Sequence, residues 1–593
     1  MSHKVEVAAV PRTRRVTASD GVSLAVQECG VPDGPVIVAV HGYPDDHTVW
    51  DGVVELLAKK FHVVTYDVRG AGASTAPTSR AGYALDQLAD DLGVVLDAVS
   101  PHQPAHLIAH DWGSIQAWHA VTDERLATRI ASYTSISGPC LDHVGHWFRS
   151  RLRRPGGGRF RELVQQGLSS GYIGFFQLPG VPEAAWRSGV LPRLMRLLSR
   201  GDTGLRAPNP DDAIRGLELY RENMRGHLVK PGLRRTTVPV QVLAPTDDAF
   251  VGTPMQSDIA AWTTEPRLRR VVGGHWIVRS RPEVIARCIT ELADNVDGAP
   301  ASNGLRRAAV RAAAASLPAA RRRHHGSLVV VTGAGSGIGR ATALAFAQRG
   351  ADVVIADINP AAASDTGAAV RELGVRATAY QVDVSKADEM ARFAKEVINE
   401  YGVPDVVINN AGIGMSGSFL NTSVEDWQRI IDVNLWGVIH GCREFGAAMV
   451  ENGEGGRIVN TASAAAYLPS RALSAYSTTK SAVLMLSECL RGELAEHKIG
   501  VVAICPGLVH TNITATTKFV GLDDSEQQRR QQSTTAFYDK RNYTPERAAI
   551  QIVRATERNT ALAPVTPEAW AALAASRLTP ALLRAAARRE VSV

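Results

Sequence analysis

Two groups of residues in this chain have the types and spacing to do chemistry. The first centres on Asp111, in the run Ala109-His110-Asp111-Trp112-Gly113. Residues 106–109 read as a strand and the residues after Gly113 as a helix, so the aspartate sits in a tight turn between small residues. A carboxylate held there attacks carbon by displacement and leaves an alkyl ester on the enzyme, where a serine would attack a carbonyl. Downstream, Asp247 and Asp248 follow a strand at 240–243, and His275 stands in Gly273-Gly274-His275-Trp276. The second group is Tyr476 and Lys480, with Ser463 thirteen residues before the tyrosine. On one helix an i,i+4 spacing sets the ammonium beside the phenol. A nearby cation favours the phenolate and lowers its pKa towards neutrality, so the phenol can exchange a proton with an alcohol or carbonyl.

The elements that must position these groups alternate along the chain. Apolar, β-branched runs at 36–40, 63–66, 106–109 and 240–243 are separated by helical segments. The same pattern returns at 328–331, 352–355, 406–408, 457–460 and 500–504. Continuous apolar strands between helices mean α/β domains with parallel sheets covered on both faces. Active sites in such folds lie at the carboxyl ends of the strands. Two domains are expected, 1–295 and 328–593. The Ala-, Arg- and Pro-rich stretch 296–327 has too few large apolar residues for a core and reads as a linker.

The first half resembles the epoxide hydrolases of the α/β-hydrolase superfamily over residues 15–295. Asp111 occupies the small-x-nucleophile-x-small turn of that superfamily, and the order nucleophile, acid, histidine is its order. The resemblance implies that Asp111 opens an oxirane and that His275 then activates water against the ester. Asp247 is preferred to Asp248 as the orienting acid because its spacing from the strand fits the family better. Oxyanion-hole N–H groups are expected from Tyr43, in His41-Gly42-Tyr43-Pro44, and from Trp112. A lid is expected over 141–233, with Tyr172 and Tyr220 holding the epoxide oxygen. The rival reading is a haloalkane dehalogenase, which also uses an Asp-Trp turn; Tyr43 stands where that family usually has a halide-binding asparagine. His110 and His119 read as structural.

The second half resembles the short-chain dehydrogenase/reductases, over residues 326–560. Thr332-Gly333-Ala334-Gly335-Ser336-Gly337-Ile338-Gly339 follows a strand and opens a helix, where glycines let the backbone approach a pyrophosphate. Asp357 ends the next strand. A carboxylate there accepts ribose hydroxyls and repels a 2′-phosphate, so NAD(H) is expected over NADP(H). The resemblance implies that Gly333, Ser336, Gly337, Ile338 and Gly339 cradle the phosphates. Asp383-Val384 takes the adenine side, and Asn410, in Asn409-Asn410-Ala411-Gly412, stabilises the fourth strand. Asn434 holds a water of a proton relay, and Ser463 holds the substrate oxygen. Tyr476 and Lys480 form the YxxxK pair; Pro506, Gly507 and Thr511 lie on the nicotinamide side. No metal is expected. Members of this family associate through paired helices, which implies a homo-oligomer.

Composition bounds the rest. Over 593 residues, 45% hydrophobic and 21% charged residues exclude a disordered, collagenous or coiled-coil chain. A formal charge of +6 is too small at this length to argue for nucleic acid. The six cysteines form no CxxC pair and read as reduced thiols. The first 30 residues lack the apolar stretch of a signal peptide, and no uncharged apolar run reaches the ~18 residues of a membrane span. The expected compartment is the cytoplasm. The tail 567–593 reads as one amphipathic basic helix, either packed on its own domain or touching lipid, and the basic stretch 149–161 invites the same two readings.

The fusion itself resembles a family of epoxide hydrolase/dehydrogenase proteins of mycobacteria and related actinobacteria. It implies a bifunctional enzyme acting on small-molecule or lipid substrates: one half makes a diol, the other oxidises an alcohol or reduces a ketone. The alternative is that one half is inactive and serves as a scaffold for assembly.

Overall fold

The computed structural model describes residues 12–588 apart from 154, 155, 157, 200, 201, 203–205 and 315–322. The chain forms two compact units, Met1–Ser316 and Leu317–Val593.

Among the described residues the first unit is built on eight strands: β1 Arg12–Thr17, β2 Ser23–Gly30, β3 Val36–Val40, β4 His62–Tyr66, β5 Ala105–His110, β6 Ile130–Ile136, β7 Val240–Pro245 and β8 Pro266–Val271. Their order is β1-β2-β4-β3-β5-β6-β7-β8. β2 runs antiparallel to β1 and β4, and the remaining pairings are parallel. Every residue of β3, β5 and β7 is buried, which explains why these strands are mostly apolar and do not alternate, the buried polar exceptions being His106, His110 and Gln241. Helices cover both faces. In Leu85–Val99, residues Leu85, Leu88, Leu92, Val95, Leu96 and Val99 recur every three or four positions and enter the core as one stripe. Pro282–Val296 buries Ile285, Cys288, Ile289 and Ala293 against the opposite face. Between β6 and β7 the described residues make six helices of a lid, from Leu141–Arg153 to Pro210–Val229.

The stretch expected to be linker is structured in part. Residues Asn303–Ala313 form a helix packed against β8. Ser302 caps it by accepting the N–H of Leu305, and Leu305, Ala308 and Ala312 make a narrow buried stripe. Small residues suffice because the helix packs on a sheet already formed and needs no core of its own.

The second unit holds strands β9 Leu328–Thr332, β10 Asp352–Asp357, β11 Ala377–Gln381, β12 Val406–Asn409, β13 Met415–Ser416, β14 Gly456–Thr461, β15 Ile499–Cys505, β16 Lys518–Phe519 and β17 Leu562–Pro564. Seven of them form a parallel sheet in the order β11-β10-β9-β12-β14-β15-β17; β13 and β16 pair separately. The order reverses at β9 and β12, the crevice where doubly wound sheets bind ligands. The tail is two helices, Pro567–Leu578 and Pro580–Ala586, not one, because Pro580 lacks the N–H to continue the first. Its first turn packs on its own unit: Ala569 is buried, and Glu568 accepts the N–H of Leu508 at 2.9 Å and pairs with Arg541 at 2.8 Å.

Candidate active sites

In the first unit the strand ends converge on Asp111. The turn after β5 holds this aspartate at φ +53°, ψ −124°, outside the region that L-residues ordinarily occupy. Close packing keeps it there. A Cβ on Gly113 would lie 2.3 Å from the carbonyl oxygen of Val40, and one on Gly138 would lie 2.1 Å from that of Asp111. The small residues around the turn are therefore a steric requirement. Asp111 Oδ1 accepts the backbone N–H of Tyr43 at 2.8 Å, so one of the two expected donors reaches the site. Trp112 opens the helix Trp112–Val121, and its ring meets that of Tyr220 edge-on at 4.8 Å.

His275 stands between two carboxylates. Its Nε2 is 3.3 Å from Asp111 Oδ2, and its Nδ1 is 3.1 Å from each oxygen of Asp248. The carboxylate that faces His275 is thus that of Asp248, not that of the expected Asp247. The N–H of Asp247 donates to Gly273 at 3.0 Å and prolongs the pairing beyond β7. Asp247 then faces solvent, where it accepts the Thr246 hydroxyl at 3.2 Å, and the following side chain turns inward. Asp248 is fully enclosed and accepts the N–H groups of Phe250 and Val251, both at 2.9 Å. Burial alone would lower the pKa of His275, but Asp248 and Asp111 outweigh it and raise the value well above the ordinary imidazole range. Burial pulls Asp248 upward; His275 and the two N–H groups win and hold it low.

The lid completes this site. Tyr172 and Tyr220 face each other with ring centroids 6.0 Å apart, and Tyr220 also meets Tyr43 at 5.4 Å. Burial raises both phenols, and the charge of Asp111 adds to the rise, so both remain protonated donors. Two further residues belong here that spacing alone does not reveal. The Phe250 ring lies against His275 at 4.9 Å and against Tyr172 at 5.6 Å. Gln166, a buried glutamine on the lid helix Gly158–Ser169, donates to the Phe250 carbonyl at 2.9 Å and accepts the Gly252 N–H at 2.8 Å. Only the lid's folding back reveals that contact. His110 donates from Nε2 to the His275 carbonyl at 2.8 Å; burial lowers its pKa and keeps it neutral.

In the second unit, the loop after β9 comes close to its neighbours without side chains. A Cβ on Gly333 would lie 2.7 Å from Ala411 Cα, and one on Gly339 would lie 2.1 Å from the Gly333 carbonyl oxygen. Asn410 ties this loop to β12, donating to the carbonyls of Thr332 and Gly333 at 3.1 Å each. Ser336 precedes the helix Gly337–Ala347, within which Ile338 packs on the core. A Cβ on Gly337 would meet Thr511 at 3.3 Å, so the two expected sides of the cradle face each other. Asp357 Oδ2 accepts the Gly335 N–H at 2.8 Å. Asp383 accepts the Ser385 N–H at 3.0 Å, and Val384 is buried. The Pro506 carbonyl accepts the Ala464 N–H at 2.9 Å, and a Cβ on Gly507 would clash with Thr566 Oγ1 at 2.3 Å.

Tyr476 and Lys480 share the helix Ser474–Glu493. Lys480 Nζ donates to the Thr461 carbonyl at 2.9 Å and lies 5.8 Å from the centre of the Tyr476 ring. Asn434 sits in one π-turn, Asp432–Trp436, a departure from the α-helix that marks functional positions. It grips Ile413 through both groups, accepting its N–H at 2.8 Å and donating to its carbonyl at 3.0 Å. A Cβ on Gly412 would lie 3.1 Å from Asn434 Oδ1 and 3.4 Å from Lys480 Nζ, so both groups border one spot. The electrostatics differ from the expectation of a lowered phenol. Burial raises Tyr476, against a smaller opposing bond from Ser463, and burial pushes Lys480 down to about 8. Desolvation penalises both charges, and the ammonium is bonded to a carbonyl, not to the phenol.

Among the described residues no cluster of His, Cys, Asp and Glu has the grouping of a metal site. No described helix is long and apolar enough to cross a membrane. All six cysteines are free; Cys489 is exposed and Cys29 half-buried.

The family described as short chain dehydrogenase matches residues 327–519, and the alpha/beta hydrolase fold family matches residues 35–159. A protein of Mycobacterium tuberculosis described as "Probable oxidoreductase EphD" is 40% identical over 591 residues, spanning 98% of this chain and 99% of its own. The protein of that description in Mycobacterium bovis matches to the same extent. A short chain dehydrogenase/reductase from Burkholderia phymatum, solved in complex with NAD, is 27% identical over 45% of this chain and 98% of its own, with a TM-score of 0.41. Two folds, two sets of converging side chains and a relative that shares both halves end to end lead to one conclusion: the chain belongs to the family of fusion proteins in which an α/β-hydrolase domain precedes a short-chain dehydrogenase domain.

Proposed function

We propose that this is a bifunctional enzyme that opens epoxides to diols in its first half and interconverts an alcohol and a ketone in its second. The observation that carries the first activity is His275, placed between Asp111 and Asp248. A lone pair of Asp111 attacks an oxirane carbon as the C–O bond breaks, and the ring oxygen takes a proton from Tyr172 or Tyr220. This consumes the charge of Asp111. One of the two carboxylates that held His275 protonated is then gone, its pKa falls, and its proton passes to the tyrosinate that ring opening left. The neutral imidazole takes a proton from water, which attacks the ester carbonyl and releases the diol. The oxygen left on Asp111 comes from that water. A single turnover in ¹⁸O-water with styrene oxide, read by mass spectrometry of the Asp111 peptide, is expected to add one heavy oxygen. Label in the diol alone, with none on Asp111, would reject the covalent route.

The second half fits a dinucleotide: the backbone around Gly333 and Gly339 has no room for side chains, and Asp357 stands at the end of β10. Gly333, Ser336, Gly337, Ile338 and Gly339 would hold the pyrophosphate, with Asp357 on the adenosine ribose and Asp383 and Val384 beside the adenine. Pro506, Gly507 and Thr511 would border the nicotinamide. When bound, that ring supplies or accepts the hydride. The carboxylate of Asp357, at the end of β10, supports NAD(H) here. Tyr476 exchanges a proton with the substrate oxygen, Ser463 donates to that oxygen, and Lys480 with Asn434 refills the proton. The aromatic lining of the hydrolase site, Tyr43, Phe176, Trp186 and Tyr220, suits an apolar substrate.

A further inference from the structure

Two lid helices turn an apolar stripe away from the protein. A surface helix normally buries that stripe. In Gly158–Ser169 the inward residues are Leu163 and Gln166, while Phe160, Val164 and Leu168, four residues apart, are 57%, 44% and 80% exposed. In Val190–Leu198 the buried residue is Leu191, while Val190, Leu194, Leu197 and Leu198 are exposed. Leu152, Leu178 and Val181, on neighbouring lid segments, are exposed as well. Soluble proteins rarely leave so many large apolar residues open along one stretch of about fifty residues.

The charge around these stripes is one-sided. Positions 149–206 hold eleven arginines, no lysine and three carboxylates, Glu162, Glu183 and Asp202, an excess larger than the +6 of the whole chain. Among the described residues Arg153, Arg159, Arg161, Arg187, Arg193 and Arg196 are exposed and meet no carboxylate. A core-packing helix gains nothing from such a fringe, and a self-associating face would bring the arginines together. Leucine and phenylalanine between unpaired arginines complement a surface that is apolar below and anionic above.

We infer that the outer face of the lid docks on an anionic lipid bilayer, with Phe160, Val164, Leu168, Leu194, Leu197 and Leu198 entering the acyl boundary and the arginines meeting phosphate headgroups. The lid that covers Asp111 is then also the part that rests on the lipid. This inference does not depend on the chemistry proposed for Asp111.

The test is co-sedimentation of the full chain with vesicles of pure phosphatidylcholine or of phosphatidylcholine with 30% phosphatidylglycerol. At least tenfold more protein is expected on the anionic vesicles at 50 mM salt, most of it released at 500 mM. Phe160→Glu with Leu168→Glu, and separately Arg193→Glu with Arg196→Glu, are expected to cut binding at least tenfold with unchanged circular dichroism. Trp570→Glu with Leu582→Glu, in the C-terminal tail, is expected to leave it unchanged. Equal retention by neutral vesicles, no retention by either, or loss with the tail variant alone would overturn the inference. So would a dimer in sedimentation velocity that the lid substitutions dissolve, since a second copy would then cover the face.

Discussion

The side-chain amide of Gln166 donates to the backbone carbonyl of Phe250 at 2.9 Å, two residues beyond the acid that His275 faces. With its oxygen on the Gly252 N–H, this lid residue spans the loop whose N–H groups hold Asp248. The lid therefore reaches the Asp248 side of the first site and not only the side that Tyr172 and Tyr220 line. Gln166→Leu leaves a buried carbonyl and a buried N–H without partners, at a cost of about 1–3 kcal/mol in stability. Hydrolysis of the covalent intermediate is expected to slow about tenfold, equivalent to ~1.4 kcal/mol of barrier. Intact-protein mass spectrometry during turnover checks this: the adduct should rise at steady state. Gln166→Glu, which keeps the bond from Gly252, should fall between the two.

Asp248 and Asp247 are neighbours with opposite fates. Asp248→Asn removes the partner that orients His275 Nδ1 and is expected to slow ester hydrolysis by about 10²–10⁴, the range of general-base effects. Asp247→Asn should change it less than threefold. Stopped-flow tryptophan fluorescence separates alkylation, which Asp248→Asn should spare, from hydrolysis. Equal effects of the two variants would mean that the loop is differently placed in solution.

The raised pKa of His275 makes a pH prediction with a definite sign. Its folded value lies above the ordinary value of 6.5. The stabilisation it brings is fully present below 6.5 and is lost as pH rises through the folded value. Asp111→Asn removes one of the two carboxylates, so the imidazole should titrate at lower pH than in the unaltered protein. Imidazole NMR resonances of the two proteins, assigned by comparison with His275→Gln, measure the difference. An unchanged titration would mean that Asp248 alone controls the ring.

Lys480 behaves in the opposite sense. Its folded pKa, about 8, lies below the ordinary 10.5. Between those values the unfolded chain binds more protons, so stability rises with pH. Lys480→Met is expected to flatten that rise and to abolish alcohol oxidation. The urea midpoint of the second unit at pH 7.5 and 9.5, followed by pulse proteolysis, reads the first effect and NADH absorbance the second. Tyr476→Phe should abolish oxidation while leaving the pH dependence of stability in place.

Asp357 accepts a bond from Gly335 at the end of β10 and supplies the negative charge expected to repel a 2′-phosphate. Asp357→Ser is expected to raise the ratio of kcat/KM for NADP⁺ over NAD⁺ about tenfold or more. A ratio that does not move would place the ribose elsewhere.

Much of this protein was readable without coordinates, because the reactive turns are local. A strand must meet a helix within two residues at Asp111, and a backbone must pass another without side chains at Gly333 and Gly339. Both needs are written in residue size. The two sheets followed likewise from apolar strands without alternation, and Tyr476 and Lys480 followed from helical spacing. Where distant segments meet, the tertiary structure decided. Asp247 and Asp248 differ by one step in a chain whose side chains alternate, and pairing with Gly273 chose between them. Gln166 and Phe250 lie 84 positions apart and become partners only when the lid folds back. The stretch that holds the helix Asn303–Ala313 has too few large apolar residues for a core and reads as a linker, yet a finished sheet needs only a narrow stripe to receive a helix. Even the sign of the shift at Tyr476 depended on burial, which spacing does not report: charge proximity is visible along a helix, but the loss of water around both groups is a property of the whole fold.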